Sequence, residues 1–168
     1  MNHEEAKSLV DRLIRQAVEQ LEELEPKPDV PIDVNYLTLE EILLAHEAVM
    51  RQYDEPENGG VLHPDALKSA VRRPQMVAFE VELHPTIWHK AAALFQSIVQ
   101  GHVFRNGNKR TGLTVLLYFL DKNGFYPEQL PPALAEEFTV AVAGDPRLKG
   151  EEASRILATV IWMLFHIE

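Results

Sequence analysis

The chain has 168 residues, a formal net charge of −10 at pH 7 and no cysteine. That length suits one domain around a single core, and the missing cysteines exclude disulfides, thiolate nucleophiles and Cys-based zinc sites. The acidic balance argues against duplex nucleic acid as a general partner, because phosphate contacts need many cations on one face.

Hydrophobic residues make up 46% and charged residues 25%, an ordinary globular balance. The first 25 residues show no signal-peptide core, and the longest uncharged apolar run, Ile156 to Ile167, is too short for a comfortable membrane span. A cytoplasmic protein with no membrane segment is expected.

Residues 3 to 24 read as an amphipathic helix, with Val10, Leu13, Ile14, Ala17, Leu21 and Leu24 at three- and four-residue steps. Asn2 and Glu5 form a loose capping pair. Pro26, Pro28 and Pro31 then mark an extended linker. The expected division is therefore an N-terminal helix and linker, 1–35, ahead of a main domain, 36–168. The first helix could pack on that domain or pair with a second copy.

Thr38 and Glu41 make a capping box for a helix running to about Tyr53. Asp54 to Gly60 is a loop by composition, and Pro64 opens a short helix ending before Pro74. A strong helix follows Pro85 through Val99, carrying Ile87, Ala91, Leu94, Phe95 and Ile98 inward. Further helices are predicted over 107–122, 133–143 and 151–165, the first stopped by Asn123-Gly124. Strand-like material is confined to the neighbourhoods of 59–62 and 77–83. The chain reads as mostly helical.

The stretch HVFRNGNKR, residues 102–110, precedes the most apolar helix and carries the chemistry. A helix beginning there leaves its first backbone N–H groups unpaired, which together with the positive end of the helix dipole makes an anion site. Gly107 lets a phosphate approach the backbone, Asn108 can add an amide donor, and Lys109 and Arg110 add charge. His102, a few residues earlier, could take a proton from a hydroxyl attacking phosphorus. Phe104 would turn inward and fix the loop.

A lone histidine at such a place is more often structural than catalytic, and Asn-Gly is usually a plain turn. Cations in a first helical turn, however, oppose the dipole, where a purely structural cap would favour Asp or Glu. His46, His63 and His166 look incidental, Trp88 and Trp162 look like core, and with no H-E-x-x-H no zinc site is expected.

His102-Val-Phe104-Arg-Asn106-Gly107-Asn108-Lys109-Arg110-Thr111 resembles the Fic/Doc signature, H-x-F-x-(D/E)-(A/G)-N-(K/G)-R, and its Lys-Arg-Thr ending resembles the Doc (death-on-curing) branch. The segments Ala66 to Gln75, His84 to Leu94 and Leu120 to Phe125 also resemble Doc-like proteins. The resemblance implies an all-helical Fic/Doc fold with a small β-hairpin flap, expected here around Gly59 to His63, which aligns a target segment by strand addition. It implies ATP and Mg²⁺, transfer to a protein hydroxyl, a target such as elongation factor Tu for a Doc-type kinase, and a neutralising antitoxin. Adenylyl transfer is the Fic-type alternative.

Carried over by position, His102 would be the general base, Asn108 and Arg110 would contact phosphate, Gly107 would supply N–H groups and Lys109 would stabilise phosphate charge. Phe104 would anchor the loop. The acidic, Mg²⁺-binding position is Asn106 here. A neutral amide oxygen is a weaker ligand for Mg²⁺, so reduced metal binding, or a non-catalytic interaction module, is the further alternative. Asn106 would also serve as an N-cap. The inhibitory (S/T)-x-x-x-E-(G/N) helix of related Fic proteins has no counterpart.

Overall fold

The computed structural model describes residues 1–28, 33–53, 55–126 and 130–166. The centre of the proline-rich linker, 29–32, and Asp54 of the expected loop lie outside the described residues.

The helices, in order, are α1 (His3–Glu19), α2 (Leu21–Leu24), α3 (Leu39–Gln52), α4 (Pro64–Arg72), α5 (Ile87–Gln100), α6 (Asn108–Lys122), α7 (Pro132–Gly144) and α8 (Glu151–Phe165). A single antiparallel hairpin, β1 (Val77–Ala78) and β2 (Val81–Glu82), is the sheet among the described residues. The chain is all-α, as the resemblance implies.

Helix α5 is the hub. It is buried around nearly its whole circumference, from Ile87 through Val99, as a helix wrapped by others must be. It packs on α6, α8, α4 and α7. Close approach of α6 depends on Gly112, where an added Cβ would come within 2.5 Å of Val99 Cγ2. The polar groups of α5 are satisfied from neighbouring loops: Gln96 and Gln100 donate to the carbonyl of Leu148, and Gln100 also to that of Val142.

The expected first helix breaks at Gln20 into α1 and α2. Asn2 and Glu5 complete a full capping box at its start. The apolar face of α1 (Ala6, Val10, Leu13, Ile14 and Ala17) lies against α7 and α8 and joins the same core as α5. Glu25, which closes α2, accepts from His89 Nε2 at 2.8 Å and from Arg155 Nη2 at 2.7 Å. The N-terminal segment is thus bonded to the start of α5 and to α8.

The hairpin lies at Val77–Glu82, not at Gly59–His63. Its two-residue turn, Phe79-Glu80, has both residues at positive φ, 51° and 64°, the type I′ geometry that fits the twist of a hairpin. Lys90 of α5, fully buried, reaches Pro74 O at 3.1 Å and Glu82 Oε1 at 3.0 Å, tying the hairpin base to the hub. Residues 60–63 pair instead with the loop that follows α5. Leu62 and His63 N–H donate to Val103 O, and Arg105 N–H donates to Gly60 O.

Candidate active site

The signature residues occupy the α5–α6 connection, and each has a distinct placement. Helix α5 ends at Gly101, and His102 follows with φ 49°, the left-handed position that glycine usually takes after a helix. His102 is exposed and makes no hydrogen bond or ion pair with any described residue. A non-glycine residue held in that region stores strain, a condition that clusters at functional sites.

Val103 and Phe104 then turn inward and are buried. Phe104 stacks on the imidazole of His46, ring centroids 3.8 Å apart and 11° from parallel. Its backbone is gripped from the other side by Asn108, whose Oδ1 accepts from Phe104 N–H at 3.0 Å and whose Nδ2 donates to Phe104 O at 2.9 Å. The Asn108 side chain therefore closes the loop on itself.

The N-cap of α6 is Gly107, at φ 74° and ψ 20°, rather than Asn106. An added Cβ there would meet Met50 Sδ at 2.9 Å, so both conformation and space require glycine. Thr111 N–H is bonded to Gly107 O at 2.8 Å. The N–H groups of Asn108, Lys109 and Arg110 ahead of it have no intrahelical acceptor, and the first turn carries no acidic residue. Lys109 and Arg110 are exposed, and Arg110 stacks its guanidinium on Tyr53, 3.6 Å above the ring centre. A fifteen-residue helix thus begins with a positive end and two cations, on the loop that also carries an unencumbered imidazole. That combination suits binding an anion and accepting a proton beside it.

Asn106 points elsewhere. Its Nδ2 donates to Asn58 O at 2.8 Å. A carbonyl oxygen can only accept, so the nitrogen side of the amide must face it and Oδ1 must face away. Asn106 supplies one neutral oxygen, and the described residues contain no cluster of three His, Asp or Glu able to hold a metal. These residues do not fit a resident Mg²⁺ site.

The structure leaves His102, Lys109 and Arg110 exposed, makes Gly107 the N-cap of α6, buries Phe104, and turns Asn106 and Asn108 to hold backbone. It also adds His46, which looks incidental in the sequence. His46 is buried, accepts from Gly60 N–H through Nε2 at 3.1 Å, and bonds Thr111 Oγ1 through Nδ1 at 2.9 Å. Acceptance at Nε2 puts the proton on Nδ1, and burial holds the imidazole below its usual pKa. Its spacing to Ile42, Val49 and Met50, all buried on α3, is the helical signal that marks it as inward-facing.

The chain is also similar in sequence to known proteins. The family described as Fic/DOC matches residues 36–120. A protein named Toxin Doc from Mycolicibacterium smegmatis is 40% identical over 89 residues, a stretch that covers 53% of this chain and 62% of that protein. The family match contains α3 to α5, the hairpin, the whole loop described above and α6 as far as Leu120. The chain belongs to the Fic/DOC family, on its Doc side.

Proposed function

We propose that this protein is a Doc-like transferase that modifies a protein hydroxyl with ATP, the nucleotide arriving with Mg²⁺ already on its phosphates as part of the substrate. The observation that carries the reading is His102, exposed and strained, on the loop that leads into the α6 N-terminus, whose cap has no side-chain hydrogen bond.

In the phosphoryl-transfer form, the target oxygen forms a bond to the γ-phosphorus and the bond to the β,γ-bridging oxygen breaks. The imidazole of His102 takes the hydroxyl proton and ADP leaves. The helix N-terminus with Lys109 and Arg110 holds phosphate charge through the transition state. Adenylyl transfer uses the same groups with the nucleotide reversed: the oxygen attacks the α-phosphorus and pyrophosphate leaves. The exposed hairpin, with Phe79 at its tip, offers an edge for an extended target segment. Elongation factor Tu in the cytoplasm is the target that fits a Doc-type kinase, and an antitoxin protein is the natural partner. The apolar face of α1 is committed within this chain, so it is not the surface for a second copy.

The test is label transfer from ATP marked at either the α- or the γ-phosphate, with His102→Ala in parallel. Loss of two or more orders of magnitude in the variant is expected for a general base; an unchanged rate overturns the assignment. One observation favours a second reading, a binding module without catalysis. The residue at the acidic position is neutral and bonded to backbone. Label from neither phosphate, with a partner still bound, would decide for the module.

A further inference from the structure

The 56–60 loop meets the signature loop at several points. Arg105 N–H donates to Gly60 O, Gly60 N–H donates to His46, and Gly59 and Gly107 both press on Met50, where an added Cβ at either would come within 2.9 Å. The remaining link is the bond from Asn106 Nδ2 to Asn58 O. Every other link uses backbone or a residue away from the anion-binding turn. This one uses the side chain at the position where the family places its metal-binding acid.

We infer that Asn106 is a clamp, whose amide N–H pins the 56–60 loop against the turn that begins α6. A carboxylate cannot do this. Ionised, it offers only acceptors, and it would set negative oxygen against the Asn58 carbonyl. Asn106→Asp is therefore not a simple restoration of a lost metal ligand. It gains a charged oxygen and releases the loop. The charged groups of the two segments that bear on a carboxyl there are Glu55, Glu57, Arg105 and Lys109, with His46 behind them on α3. The clamp stands on geometry alone and does not depend on the proposed transfer, so its test needs no substrate.

The test is amide hydrogen exchange of the intact protein at Asn58, Gly59 and Gly60, whose N–H groups are bonded to Glu55 O, Pro56 O and His46 Nε2. Asn106→Ala and Asn106→Asp are compared with the unaltered protein at each pH, with protection in α5 as the check on folding. Losing one exposed hydrogen bond predicts exchange about threefold faster in Asn106→Ala, and charge against the carbonyl about tenfold faster in Asn106→Asp, at neutral pH. Lowering the pH to about 4 protonates much of the introduced carboxyl, which can then donate to Asn58 O. The excess in Asn106→Asp should shrink toward one while that in Asn106→Ala stays. Unchanged rates in either variant at neutral pH, or an excess in Asn106→Asp that acid leaves intact, overturn the clamp.

Discussion

His46 lies behind the loop that joins α5 to α6, buried and bonded through both ring nitrogens, whereas His102 lies on that loop, exposed and without a described partner. The inner residue sits on a regular helix. The outer one sits at a positive φ that its own Cβ resists. Around them the same division holds. Phe104, Asn106, Asn108 and Thr111 are engaged by other parts of the chain, while Lys109 and the first N–H groups of α6 face outward. The inner set builds a shape, and the outer set is what the proposed function would have that shape present to a ligand.

If that division is real, removing the inner histidine should damage the fold more than removing the outer one. His46→Leu leaves the Gly60 N–H and the Thr111 hydroxyl without their partner and breaks the stack on Phe104. A loss of about 2–3 kcal/mol is expected for two unsatisfied groups at a buried site, read from the urea midpoint. A loss below about 0.5 kcal/mol would mean that His46 only fills space.

The second buried histidine gives a contrast in charge. His89 is bonded to Glu25, which Arg155 also grips, so its partners favour the protonated ring where those of His46 exclude it. Removing the carboxylate by Glu25→Ala should cost about 2 kcal/mol, below the full cost of breaking a buried ion pair because the Arg155 side chain is 37% exposed and can be rehydrated. The same urea curves check it, and a neutral result would show that the Glu25 bonds add nothing to the hold on α2.

Acid separates the groups further. Burial lowers the pKa of His46 and His89, the latter against the pull of Glu25, and lowers that of His84 to about 4 with help from the nearby charges of Arg73, His89 and Lys90. Each folded-state value lies below the ordinary 6.5, so the unfolded chain binds more protons in that window. Stability should be complete above roughly pH 6.5 and fall as the pH drops toward about 4. Glu25 is held down to about 2, chiefly by its bond to Arg155. Its contribution is present above the usual carboxylate range and is lost below it. His46→Leu should flatten part of the first decline and leave the second.

Much of this architecture is legible in the sequence because local rules agree with one another. Thr38 and Glu41 announce α3, Pro64 opens α4, and the apolar spacing of α5 and α6 survives into the core. The hairpin is misplaced because its turn lacks the Asn-Gly or Asp-Gly that a type I′ turn normally shows, and Phe79-Glu80 carries no such mark. His46 is missed because its partners, Gly60 and Thr111, are distant in sequence and one of them is backbone. The direction of Asn106 is likewise set by the Asn58 carbonyl, 48 residues away, which no local pattern encodes.

The smallest expected effect concerns the outer histidine and runs against intuition. His102 occupies a left-handed position that glycine adopts without strain, so His102→Gly removes a steric cost. It also frees the unfolded chain, which opposes the gain. No described contact is lost. The net change should be a stabilisation of about 0.5 kcal/mol, and in any case no loss, while transfer disappears as it does in His102→Ala. On the proposed function, a residue that costs the fold strain serves a role at the surface. If His102→Gly instead destabilises the protein by about 1 kcal/mol or more, the imidazole belongs with the inner set, and the division between the two faces of the loop fails.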